Sequence, residues 1–408
     1  MYTWVVNPIV RSISWAVYLA MSWTWCIGMF LPVILVSEFG IGAWFVFAVP
    51  NVLGAAAMGW TLARPGTSKR LLAEHRFACV AFSAVTLAFQ AYFLIWFSSI
   101  GVIPGSWAIA ALTLGIVIGV VNRKAARWDL LLAWLVLALS LTVLGKGLTH
   151  LSVPHMIGEL PQRSRVALLC LAPICAFGFL LCPYLDVTFH RAKQATDASA
   201  GRFAFTLGFG VFFLLMILLT LLYEGDLSTG NGSFALAGVT AWVGLHLTVQ
   251  IGFKFVVHLR ALPRPRRADL VIWIFAGALV IGGVVALRQQ QWFAGLHDHQ
   301  KQMLTGELVY RLFMSFYGLV FPTYVWVCMV PIKGPAPGPT KPALLACALG
   351  ILVATPMFWL GFIDEKMPWL LGGFAAVLSS RGLLAFFSSP SHRAGDEPAN
   401  RTATASLS

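Results

Sequence analysis

The sequence predicts an all-α polytopic membrane protein of about twelve transmembrane helices. The expected plan is a ten-helix core of two inverted five-helix repeats, followed by two accessory helices. Three observations carry this reading. Of 408 residues, 59% are hydrophobic and only 11% charged, whereas about a quarter of a soluble domain is charged. Apolar runs long enough to cross a bilayer recur along the chain. The loops between them alternate in basic charge, as helices of alternating direction require.

The first set of runs falls at 13 to 36, 41 to 63, 77 to 99, 103 to 121, 128 to 149 and 166 to 187. The second falls at 201 to 223, 234 to 257, 269 to 287, 307 to 330, 342 to 363 and 367 to 387. One side collects Arg64, Lys69, Arg70 and Arg76, then Arg123, Lys124 and Arg127, then Arg191, Lys193 and Arg202, then Arg260, Arg264, Arg266 and Arg267. The other holds Glu38, Glu224, Asp226, Asp364 and Glu365. The basic side is expected to be cytoplasmic, which places both termini there in the cell (inner) membrane. Trp15, Trp44, Trp60, Trp96, Trp107, Trp128 and Trp369 lie near span ends, where an indole suits the headgroup region.

Composition also excludes several classes. The net charge of +13 is explained by topology, and no basic run belongs to a soluble domain that could enter a nucleic-acid groove. All seven cysteines lie in apolar runs, unlike a secreted disulfide framework. There is no glycine-rich phosphate loop, nucleophile elbow or zinc-spaced cysteine pair. Neither an enzyme nor a resident cofactor is therefore expected, and the expected partners are the lipid bilayer and a small polar solute. The first span lacks a signal-peptidase-like site and is expected to be retained.

The expected organisation is a core at 1 to 330, with repeats at about 13 to 149 and 166 to 330. A Pro/Gly-rich linker at 331 to 341 leads to the accessory helices at 342 to 387 and a polar tail at 388 to 408. Inverted repeats that carry solutes interrupt corresponding helices at mid-depth, freeing backbone groups for ions and polar ligands. The leading span of each half carries breakers: Gly28 and Pro32 in the first, Pro173, Gly178 and Pro183 in the sixth. Interruption is expected near Gly28 and Gly178, although such residues also serve kinks and close packing.

Two stretches resemble the sodium:solute symporter family of the APC superfamily. FAVPNVLGAAAMGWTLARPGTSKRLLAEHRF is similar to that family's second core helix and following basic loop. PYLDVTFHRAKQATDASAGRFAFTLGFGVFFLLMILL is similar to its sixth-helix exit and seventh helix. The resemblance implies a LeuT-like fold of 5+5 inverted repeats with solute between the broken first and sixth helices, coupled to Na+ or H+. Two departures stand out: the residues ahead of 13 leave no room for the extra leading helix expected of that family, and its adjacent hydroxyls in the eighth helix are replaced by the isolated Thr240 and Thr248.

Expected solute-binding residues are Trp25, Gly28, Phe30, Gln90, Phe177, Gly178 and His246, with a candidate ion site near Cys26, Gly28 and Thr248. His246 lies mid-span, one turn before Gln250. It reads either as a titrating, solute-contacting group or as a neutral hydrogen-bonded one. Ser83, Thr86 and Gln90 form a stripe that either faces the cavity or joins helices. Asp186, His190 and Arg191 read as a latch at a helix exit, Glu307 and Arg311 as a surface pair, and Lys146 as a snorkelling side chain. His150, His155, Glu159, His297, Asp298 and His299 are loop residues from which a metal site is a remote alternative.

Overall fold

The computed structural model describes residues 7–121, 126–148, 162–227, 240–289, 305–331 and 335–387. These residues are helical, with no strand among them. The first half holds α1 (Pro8–Trp23), α2 (Cys26–Phe39), α3 (Ile41–Thr61), α4 (Thr67–Glu74), α5 (Arg76–Ser99), α6 (Gly105–Val121) and α7 (Ala126–Leu148). The second holds α8 (Gln162–Leu181), α9 (Val187–Ala195), α10 (Ala198–Leu207), α11 (Leu214–Leu227), α12 (Thr240–Ala261), α13 (Asp269–Arg288) and α14 (Thr305–Ser315). A wide turn at Gly208–Phe213 joins α10 to α11, and α14 runs on to Met329. Last come α15 (Lys341–Phe358), which extends to Ile363, and α16 (Pro368–Phe387).

Among the described residues, ten helical runs are long and apolar enough to cross a bilayer. The bent pair α1 and α2 makes an eleventh, and α6, with 17 residues, is a shorter apolar helix. The chain is thus a multi-pass membrane protein, and the described residues of each apolar run read from the sequence are mainly helical. Trp60, Trp128 and Trp369 are exposed near helix ends, but Trp15, Trp44 and Trp96 are buried and pack the interior instead.

Of the breakers, Pro183 lies at an interruption, whereas Gly28, Pro32, Pro173 and Gly178 lie within helix. Pro32, Pro50, Pro173 and Pro356 all lie inside continuous helices. A proline removes one hydrogen bond, which a helix between packed neighbours tolerates. Stopping a helix strands several carbonyls, so it happens where other partners exist. The first span breaks at Thr24 and Trp25, with Trp25 extended at φ −106° and ψ 178°, and α1 meets α2 at 58°. The sixth breaks at Cys182–Leu185, a tight turn containing Pro183, followed by the extended Asp186.

Gly178 and Gly54 serve close packing. A Cβ on Gly178 would lie 2.8 Å from the Tyr317 carbonyl oxygen, and one on Gly54 would lie 2.2 Å from that of Phe179. α8 is thereby held tightly between α3 and the α14 run, the small-residue packing on which membrane helices depend. α15 and α16 pack on each other, and Arg381 of α16 donates to the Trp326 and Val327 carbonyls at 2.7 Å, satisfying the end of the α14 run.

The replacement Gly54→Val is expected to destabilise the protein by about 1–3 kcal/mol through overpacking. Gly210→Ala, with no heavy atom within 4 Å of the new Cβ, is expected to stay within about 0.5 kcal/mol. Thermal melting of both variants in detergent checks this. Equal melting of Gly54→Val and wild type contradicts the close approach of α3 and α8.

Candidate functional site at the two helix breaks

α1 packs on α9 and α2 packs on α8. The two leading spans therefore run antiparallel, with their breaks side by side. α12 packs against α1, α2 and α9, and so crosses the junction. His246, Gln250, Lys254 and His258 recur every four residues along α12, which places them on one face. All four are fully buried.

Lys254 occupies the centre of this stripe. Its Nζ donates to the Ser22 carbonyl, one of the acceptors left unpaired where α1 ends. It also stands 4.6 Å from the Trp25 ring centroid, 5.8 Å from that of Trp23, and 3.7 Å from Asp186 Oδ2. The cation thus meets the negative end of a half-helix and two indoles. Asp186 is the mirror case. As the N-cap of α9 it accepts through Oδ1 from the Thr188 backbone N–H at 2.8 Å and from its hydroxyl at 2.6 Å, placing a carboxylate at a positive helix end. The Thr188 hydroxyl also lies 3.2 Å from Ser22 Oγ. His258 Nε2 stands 3.7 Å from Asp186 Oδ2, and neither ring nitrogen of His258 makes a hydrogen bond.

A small cavity of about 20 Å3 opens beside this junction, roughly the space of one water. Its walls are Trp23, Trp25, Ile27, Gly28, Asn51, Gly178, Phe179, Cys182 and Tyr317. Trp23 Nε1 donates to Asn51 Oδ1 at 2.7 Å, and Tyr317 shares a 3.0 Å hydrogen bond with Thr86. Trp25 packs edge-on against Phe82 and Tyr317, with ring centroids 5.5 and 5.0 Å away, and its indole N–H is unpaired. A second cavity of about 180 Å3 shares the Gly178, Phe179 and Tyr317 walls and continues to Arg311 between apolar side chains such as Leu31, Leu35, Ile174 and Phe358.

Of the residues expected at the site, Trp25, Gly28 and Gly178 line the small cavity. Phe30 instead packs in a ring cluster with Phe93, Trp96, Phe97 and Tyr310, and half-buried Phe177 faces Trp326 and Phe374. His246 Nδ1 lies 2.9 Å from Ser140 Oγ, which also accepts from Gln250 at 3.1 Å and donates to the Val136 carbonyl. That fills a role between helices. Gln90 is fully buried, and neither of its amide atoms makes a hydrogen bond. At the candidate ion site the Thr248 hydroxyl is spent on the Gly244 carbonyl at 2.6 Å, and the Cys26 carbonyl accepts from Tyr310 at 3.1 Å.

The latch at residues 186 to 191 is three separate arrangements. Asp186 faces Lys254 and His258, His190 bonds Ser68 and the Tyr184 carbonyl, and Arg191 pairs with Asp129 at 2.5 Å. Asp186 does follow the end of the sixth span and caps α9, but Asp186 and His190 are fully buried and have different partners. Arg311 is likewise buried rather than a surface residue, held by Glu307, Glu38 and the Phe362 carbonyl. Lys146 lies 4.0 Å from the Trp242 ring centroid, near the end of α7. The loop histidines, Glu159, Asp298 and the tail lie outside the described residues. Among those described, no cluster of three or more His, Cys, Asp or Glu could hold a metal.

Compared with known proteins, the chain matches no family model, no curated protein and no solved structure.

Asp186→Ala leaves a buried ammonium without its counter-charge, and Lys254→Met leaves a buried carboxylate. Each is expected to cost about 3–5 kcal/mol. The double variant is expected to be more stable than the sum of the two costs implies, with a coupling of about 1–3 kcal/mol measured in a thermal-melting double-mutant cycle. Simple additivity contradicts the pairing.

Proposed function

We propose that this protein is a secondary-transporter-like carrier that moves a small polar solute by alternating access, with its two leading spans crossing at the solute site. The supporting observation is the antiparallel pair of broken spans, α1–α2 and α8–α9, whose breaks share one cavity and one buried set of polar groups. Continuous helices satisfy their own backbone and give a polar solute nothing to hold, whereas half-helix ends offer amides and carbonyls inside the bilayer. This reading makes the ten-span core LeuT-like, α15 and α16 accessory, and the twelve spans a topology with cytoplasmic termini. Solute contacts fall to Trp23, Trp25, Asn51 and Tyr317 around the cavity. The larger apolar cavity supplies a route from the Arg311 end.

One observation favours a second reading, a membrane sensor or assembly subunit that retains the fold without transport: the shared cavity holds about one water. A fold does not fix a function, and one assay separates the two. In liposomes, wild-type protein is expected to accumulate at least one member of a panel of sugars, amino acids, polyols and organic acids. Asn51→Ala is expected to reduce that uptake at least roughly tenfold, the equivalent of one lost hydrogen bond to a bound polar group. No uptake across the panel, from protein that is folded and correctly inserted, rejects the carrier and leaves the sensor reading.

A further inference from the structure

We infer that Lys254 is a built-in counter-cation that takes the place of a mobile sodium ion at the break of the first span, so that the charge at the break is independent of Na+. Half-helix C-terminal ends and unwound carbonyls are where membrane carriers coordinate Na+. In this chain the corresponding place is the end of α1, and the Ser22 carbonyl there is taken by Lys254 Nζ. The remaining surroundings also suit a monovalent cation. Asp186 supplies a carboxylate at 3.7 Å, and the faces of Trp25 and Trp23 close two sides. Lys254 reaches this point from α12, the helix on which the symporter resemblance puts sodium-binding hydroxyls. The nearest hydroxyl on that helix, Thr248, is turned back onto its own backbone. The residues present therefore do not fit a sodium ion. A second cation would have to share one carboxylate with an ammonium and a nearby imidazole, His258.

The consequence is physical as well as functional. A mobile ion can leave and thereby report its gradient to the protein, whereas a tethered ammonium cannot. The break keeps its positive charge at every Na+ concentration. The inference uses the geometry of the break alone and stands apart from whether the protein transports.

The test is thermal melting in detergent of wild type, Lys254→Ala and Lys254→Gln, with NaCl exchanged for choline chloride at equal ionic strength. The expected result is that wild type melts at the same temperature in both salts. The two variants melt lower in choline and gain a saturable, sodium-dependent rise on the order of 2–4 °C, because Na+ now binds the vacated carbonyl and carboxylate. A saturable sodium-dependent rise in wild type overturns the inference. So do variants that fold but respond alike to both salts. Variants that fold only in sodium support it, and variants that fold in neither overturn it, since no mobile cation then substitutes for the ammonium. As the readout involves no solute, failure here leaves the carrier reading intact, and absence of uptake leaves this result unaffected.

Discussion

The Lys254 ammonium joins three things that would otherwise be costly inside a bilayer: a helix that stops short, a carboxylate and a charge. Removing a carboxylate and an ammonium from water costs several kcal/mol each even after relaxation. At 3.7 Å, their mutual attraction is only about 4 kcal/mol at an effective dielectric constant of about 20. The pair alone does not offset its own desolvation. What closes the difference is the placement of each charge at a half-helix end of opposite sign. Lys254 binds the stranded Ser22 carbonyl, and Asp186 caps α9 through two hydrogen bonds from Thr188. The break and the ion pair stabilise each other, and neither is understandable alone.

Around this junction the same device is repeated away from the cavity. Asp129 of α7 holds Arg260 of α12 and Arg191 of α9. Arg76 of α5 grips Asp269 of α13 with two 2.6 Å hydrogen bonds. Arg311 of α14 joins Glu38 of α2. Each pair ties the first half of the chain to the second. In a bilayer, apolar side chains gain little by choosing protein over lipid, so packing of small residues and such polar ties fix how helices assemble. The aromatic walls formed by Trp23, Trp25, Phe179 and Tyr317, with Phe82 packed behind Trp25 and Tyr317, bound the small cavity.

Much of the scaffold was legible in the sequence because bilayer thickness and loop charge act on local composition. The helix runs follow from those constraints, and the presence of a break in the first and sixth spans follows from their Gly and Pro content. The positions of the breaks do not, because partners elsewhere in the chain decide them. Pro32 and Pro173 look like interrupters but sit in unbroken helix, while α1 stops where Lys254 waits for a carbonyl. The burial of Asp186 and Arg311 is not legible locally, because Lys254, His258 and Glu38, which face them, are distant in sequence. One signal was available. His246 and Gln250 begin a four-residue repeat that Lys254 and His258 continue, and following that stripe to its end would have identified the central cation. Among the other expected residues, Phe30 and Phe177 adjoin Gly28 and Gly178 in sequence but not in space around the cavity. Helical geometry turns them toward other neighbours.

A cryo-EM map that resolves side chains around residues 20 to 30, 180 to 190 and 250 to 258 tests the central claim most directly. The account predicts that α1 ends at Trp23, that Trp25 is extended, and that density for the Lys254 side chain reaches the Ser22 carbonyl beside Asp186. A continuous helix through Thr24 and Trp25, or a Lys254 side chain directed away from that carbonyl, would contradict it.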